Sequence, residues 1–245
     1  MSDGANKRFK NDPEGFLKDN AILIKEGGMP PVAGSYLMNL HTAPYDQVKA
    51  EDGRSLPVFI PYLAQKNPTY QQADAETLKK KNDNPTIGRM QLQGKSKSLF
   101  SNQFQAFYIP WGPNATHVLD LDDRAEFLFT PGLTGCSFAS TGGAKPRAGH
   151  FNYQKGTTDV VSPKATKKAV RTEFGGQIGV STKRADYIQA DGELQRYLFI
   201  VGWRDGMRWR FFRQHMEYAG TGKGMIYQRL AAPSEISNVH RFGSP

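Results

Sequence analysis

Short runs of apolar and aromatic residues, broken every few positions by turn residues, dominate the chain from residue 98 onward. Residues 104–109, 117–119, 126–129, 136–139 and 150–153 are such runs. They are too short for helices and are spaced like antiparallel or mixed β-structure. Residues 36–41 and 56–60 have the same strand composition and follow chain breaks at Gly27-Gly28 and Pro30-Pro31. The clearest pattern is residues 196–203 and 207–212 around Arg204-Asp205-Gly206. An Asp-Gly pair readily takes the positive φ angles of a hairpin turn, so a hairpin is predicted there, one face in the core and arginines on the other.

Helical signals are sparse. From Asp74 the chain has an acidic start, a basic finish at Lys79, Lys80 and Lys81, and a stop at Asn84-Pro85, which predicts one helix. Residues 1–19 are polar, carry an Asn-Asp-Pro turn signal at 11–13, and are expected to form a flexible N-terminal arm before Ala21 to Ile24. Residues 20–245 show no repeat or low-complexity stretch and are expected to form a single domain.

Composition narrows the class. With 38% hydrophobic and 11% aromatic residues the chain can bury a substantial core. No run approaches 18 apolar residues and no signal peptide opens the sequence, so membrane spanning and signal-dependent export are not expected. The 32 Lys+Arg against 23 Asp+Glu leave a net charge of +9, which favours acidic partners but says nothing about fold. Arg204, Arg208, Arg210 and Arg213, interleaved with Trp203, Trp209, Phe211 and Phe212, could form a face for single-stranded nucleic acid, but strand alternation accounts for the pattern more simply. Lys164, Lys167, Lys168 and Arg171 read as a solvated loop that could steer an acidic partner. Gly220-Thr221-Gly222-Lys223-Gly224 lacks phosphate-loop spacing, and His41, His117, His215 and His240 lack metal-ligand spacing.

Cys136 is the only cysteine, which excludes an intramolecular disulfide and a multi-cysteine zinc site. It follows Thr130-Pro131-Gly132-Leu133-Thr134-Gly135, a small, glycine-rich turn expected to leave the thiol accessible and able to aim backbone N–H groups at a substrate carbonyl oxygen. Fourteen residues later, after a Gly-rich loop, His150 opens another strand-like run. Adjacent strands would bring the two together. A histidine in reach of a thiol can take its proton and later return one to a leaving amine, which is acyl-transfer chemistry. A lone cysteine is otherwise most often a small buried hydrophobe.

Leu133-Thr134-Gly135-Cys136 resembles the Leu-Ser-Gly-Cys signature of the Cys-His glutamine deamidases, the family of Burkholderia lethal factor, the catalytic domain of cytotoxic necrotizing factor and the chemotaxis deamidases. Thr134 replaces the usual serine and keeps the hydroxyl. In Burkholderia lethal factor a catalytic threonine lies six positions before the cysteine, which here is Thr130, and the family's histidine follows the cysteine by a dozen or so residues, which fits His150. The resemblance covers residues 128–153.

It implies an α/β (α+β) fold with a central mixed β-sandwich, surrounding helices and long loops, and residues 20–245 as a single catalytic domain. It implies hydrolysis of a glutamine side-chain amide on a protein through a Cys136 thioester. His150 would be acid and base, Thr130 would position the imidazole or the substrate amide, and the Leu133-Thr134-Gly135 turn would carry the oxyanion donors. No metal or organic cofactor is required. By the same resemblance the protein is expected to be a monomeric toxin or effector, made in a bacterial cytoplasm and delivered to a host-cell cytosol, acting on a host protein. A cysteine protease or a transglutaminase would use the same dyad. Outside the enzymes, the alternative is a basic nucleic-acid-binding module with an inert Cys136.

Overall fold

The structure, a computed structural model, describes residues 2–25, 29–64, 103–153, 162–183, 186, 196–221 and 225–236. The helix predicted from Asp74 to Lys81 lies outside them.

The expectation of a flexible N-terminal arm is corrected. Residues 2–19 form α1 (Ser2–Asn11) and α2 (Pro13–Asp19), and the Asn-Asp-Pro signal marks the boundary between them. The Asp12 carboxylate accepts from the Gly15 N–H at 2.9 Å and Pro13 opens α2, a capped helix start. Phe9, Phe16 and Leu17 become buried. At roughly 1.5–3 kcal/mol each, their burial outweighs the exposed Arg8–Asp19 and Lys18–Glu14 ion pairs, worth at most about 1 kcal/mol apiece. Apolar packing therefore holds the segment down. Buried Arg229 adds a C-terminal clasp, donating to the carbonyls of Leu17 and Lys18 at 3.1 Å.

The strands, in chain order, are β1 (Ala21–Ile22), β2 (Gly34–Thr42), β3 (Gln47–Lys49), β4 (Ser55–Leu56), β5 (Val58–Leu63), β6 (Phe104–Tyr108), β7 (Ala115–Asp120), β8 (Phe127–Leu133), β9 (Ser137–Thr141), β10 (Arg147–Asn152), β11 (Ile178–Thr182), β12 (Arg196–Asp205), β13 (Arg208–Thr221), β14 (Met225–Arg229) and β15 (Ser234–Glu235). The fold is α+β with strands dominant. The larger sheet runs β1-β5-β2-β6-β8-β12-β13-β14-β3-β4, with β15 added on β13, and the smaller one β11-β9-β10-β7. Both parallel and antiparallel neighbours occur in the larger sheet.

The larger sheet curls until it nearly closes. Its inner face packs Phe104, Phe127, Phe129, Trp203 and Phe212 around Phe9, whose ring centroid lies 4.8 Å from that of Phe127 and 5.5 Å from that of Phe104. Gln214 of β13 spans this interior. Its Oε1 accepts from the Ile22 N–H and its Nε2 donates to the Ile22 carbonyl, both at 3.1 Å, so a side-chain amide completes the ladder on the free side of β1. The outer face meets the smaller sheet across a second core, with Leu128, Leu198, Ile200 and Phe211 on one side and Leu119, Phe138 and Ala148 on the other.

Two further readings are corrected. The lysine-rich segment expected as a loop is α3 (Pro163–Phe174). The Ser162 hydroxyl caps it by accepting from the Ala165 N–H, Pro163 takes the first turn, and Gly175 ends it at φ +56°. Val170 and Phe174, four residues apart, pack on Ala139 and Phe151 at the far face of the smaller sheet. The predicted hairpin is present as β12 and β13, paired from Arg196↔Glu217 to Asp205↔Arg208. Its turn is Gly206-Met207, with the positive φ on Gly206 alone, as a type II′ turn requires. Both hairpin faces are buried: Trp203 and Phe212 line the inner core, Trp209 and Phe211 the space between the sheets. Among the described residues, no helix is long and apolar enough to cross a membrane.

Candidate active site

The core between the two sheets contains a polar cluster, and a bulge in β8 builds it. β8 lies between β6 and β12, where a proline cannot donate to a ladder. Register slips around Pro131: Thr130 stands opposite Ile200 but Leu133 opposite Leu198, three residues of β8 against two of β12. The extra residue lets Thr130 and Leu133 both face the smaller sheet, where simple alternation would separate them. Gly132 is needed at the slip, because a Cβ there would stand 3.0 Å from the Phe199 ring and 3.1 Å from that of Tyr197.

Beyond Leu133 the chain crosses to the smaller sheet. Thr134 is exposed at the turn and Gly135 takes φ +154°, a conformation that favours glycine. Cys136 immediately precedes β9. On the neighbouring strand β10, His150 stands opposite Phe138 and Phe151 opposite Ser137. Cys136, the residue before Ser137, lies at the end of this ladder, next in the chain to the Ser137↔Phe151 pair that adjoins His150. Thr130 closes the group from the other layer, its Oγ1 2.9 Å from His150 Nδ1. Thr130 and His150, from two strands and both sheets, thus meet near the start of the strand that Cys136 leads into.

The expectation of an accessible thiol is corrected. Cys136 is 2% exposed, His150 1%, and Thr130 0%. The turn presents Thr134 to solvent and directs the thiol into the apolar cluster of Leu133, Phe138 and Leu198. Burial, with a smaller contribution from nearby His117, pushes the His150 pKa down to about 3, so the imidazole is neutral at physiological pH. A neutral ring has one donor and one acceptor nitrogen, and a hydroxyl can serve either as donor or as acceptor. Thr130 can therefore hold His150 in either tautomer. With Nδ1 engaged, Nε2 is left with no hydrogen-bond partner among the described residues.

Two residues that motif reading passed over complete the cluster. His117 of β7 pairs directly with His150, and its own pKa is lowered by burial. Asn152, two positions after His150 and so on the same strand face, is 3% exposed. Its Nδ2 donates to the Gly112 carbonyl at 3.2 Å, while its Oδ1 has no partner among the described residues. Gly112 approaches His117 so closely that a Cβ would stand 2.9 Å from the His117 Nε2. Strand alternation could have singled out Asn152, but the His117–His150 pairing depends on a register that no local pattern encodes.

No family model and no curated protein matches the chain. The functional reading therefore stands on the residues. On the basic hairpin, Arg204 pairs with Asp123, Arg210 with Glu14 and Glu235, and the aromatic rings are buried, which leaves no aromatic platform for stacking bases.

Proposed function

We propose that the protein is a Cys-His glutamine deamidase, hydrolysing a glutamine side-chain amide on another protein to glutamate. The observation that carries this reading is the Thr130–His150 hydrogen bond at 2.9 Å, which orients the ring by Nδ1 and keeps Nε2 for chemistry. In the first step Cys136 Sγ attacks the amide carbon as the thiol proton passes to His150 Nε2. Collapse of the tetrahedral intermediate expels ammonia, which takes that proton, and leaves a thioester. Water, deprotonated by the same nitrogen, then attacks the thioester carbon. Glutamate departs and the proton returns to sulfur.

Burial supports deamidation among the reactions that share the dyad. A protease must bring an extended main chain to its nucleophile, whereas a thiol 2% exposed suits a single slender side chain. The same enclosure favours water over a bulky amine in the second step, hence deamidation over transglutamination. An inert, packed cysteine would leave the orphaned Nε2 and Oδ1 in one buried cluster without a reason, since buried polar groups are nearly always paired. The resemblance supports a toxin or effector acting on a host protein. Incubating the full chain with a eukaryotic lysate and reading Gln-to-Glu conversion by peptide mass spectrometry tests the reading. Conversions are expected with the wild type and absent with Cys136→Ser, and identical peptide sets would overturn it.

A further inference from the structure

We infer that Asn152 is the residue that recognises the substrate as a carboxamide, its Oδ1 accepting a hydrogen bond from the substrate's amide N–H. This rests on the deamidase reading and extends it to a specificity determinant. Asn152 lies on the strand face of His150, directly after Phe151, whose ladder partner Ser137 directly follows Cys136, and is 3% exposed. The Gly112 carbonyl engages its Nδ2 and so fixes which way the amide points. That leaves an acceptor, Oδ1, without a partner among the described residues, in the same buried cluster as the orphaned His150 Nε2. A carboxamide approaching Cys136 brings an NH2 with two donors, one for that acceptor. An ester or a carboxylate brings none. Glycine at 112 lets the backbone come this close, since a Cβ there would stand 2.9 Å from the His117 Nε2. Asn152 therefore reads the group that becomes ammonia and holds it while the thiol attacks.

The single cysteine makes the test clean. Native protein is alkylated with bromoacetamide, a carboxamide, and with methyl bromoacetate, its ester counterpart, and the rate of Cys136 modification is followed by mass spectrometry. The ratio of amide to ester rates cancels changes in thiol reactivity and in the folded fraction. This ratio is expected to exceed that of free cysteine and to fall about five-fold or more in Asn152→Ala. If Asn152→Ala is not folded by circular dichroism, Asn152→Leu, of similar volume and without polar atoms, carries the same expectation. An unchanged ratio in the folded variant overturns the role of Asn152 and leaves the nucleophile intact. A native Cys136 that neither reagent modifies, although both modify it in urea, overturns the deamidase reading and this inference with it.

Discussion

The two cores of this molecule treat buried polar side chains in opposite ways. Inside the curled sheet, the side-chain amides of Gln214 and Asn6 are used at both ends. Gln214 bonds the Ile22 N–H and carbonyl, and Asn6 donates to Asn39 Oδ1 while accepting from the Leu40 N–H. Between the sheets, Asn152 spends its Nδ2 on Gly112 but leaves Oδ1 unpaired, and His150 spends Nδ1 on Thr130 but leaves Nε2 unpaired. An unmade hydrogen bond in a buried site costs about 1–3 kcal/mol. A structural polar group is completed by the fold, whereas a group completed by a ligand is incomplete without it. The difference supports placing the proposed site in the second core.

The largest effect expected from this comparison is on catalysis. His150→Ala should lower deamidation by about 10²–10⁴-fold, the usual worth of a positioned acid–base group. The variant should stay folded in urea titration with a lowered midpoint, because the substitution opens a cavity and unpairs the Thr130 hydroxyl. A variant that unfolds instead would make His150 structural, like Gln214. The reverse holds in the first core. Gln214→Leu strands both Ile22 backbone groups and is expected to cost about 2–5 kcal/mol in urea unfolding. Asn152→Leu should stay within about 1 kcal/mol of wild type, since the lost Gly112 contact is offset by removing a buried unpaired oxygen. Equal costs for the two would break the comparison.

Acid separates the cores next. The His150 pKa is lower in the folded state, about 3 against 6.5 for an ordinary imidazole, so the unfolded chain binds its proton first. Stability is therefore full above pH about 6.5 and falls as pH drops from there towards 3, by at most about 1.4 kcal/mol per pH unit for one proton. Half-buried His117 is lowered too and acts in the same direction. Glu14 and Glu51, whose carboxyls are lowered mainly by hydrogen bonding, contribute only below their ordinary value of 4.5. Urea unfolding between pH 6.5 and 5 thus reads the histidines. His150→Gln should flatten most of that slope, and an unchanged slope would mean that the ring is protonated where it lies.

How much of this was legible beforehand depended on whether the signal was local. Alternating aromatic runs marked β6 to β10 and the β12–β13 hairpin, because period-two patterning survives in any half-buried strand. Thr130, Cys136 and His150 could be named from one short motif. In residues 2–19 dense charge masks the stronger signals, the apolar Phe9, Phe16 and Leu17 and the Asp12-Pro13 helix start. α3 was misread for the same reason, although Ser162-Pro163 and Gly175-Gly176 bracket it with start and stop residues. The bulge at Pro131, the inward thiol, and the pairing of His117 with His150 could not be read, since each follows from how one strand registers on another.

The smallest expected effect tests the hydrogen bond on which the functional reading depends. Thr130 does not touch substrate in this scheme. It positions His150 by accepting from Nδ1–H, both when Nε2 is the base and when the imidazolium carries the transferred proton. Losing a neutral hydrogen bond of this kind is worth about 0.5–1.5 kcal/mol, so Thr130→Val, which keeps the shape and removes the hydroxyl, should slow deamidation roughly two- to ten-fold. Thr130→Ala should lose at least as much, because it also opens a small gap in a residue 0% exposed. Thr130→Ser keeps the hydroxyl and should recover most of the rate, although it opens nearly as much space as a lost methyl. That contrast is the useful one. If packing alone matters, Ser and Ala resemble each other and Val is the best of the three. If the hydrogen bond matters, Ser is the best and Val falls with Ala. Single-turnover rates of Cys136 acylation in the three variants distinguish the two orders, and Val outperforming Ser would reduce Thr130 to a filler of the core between the sheets.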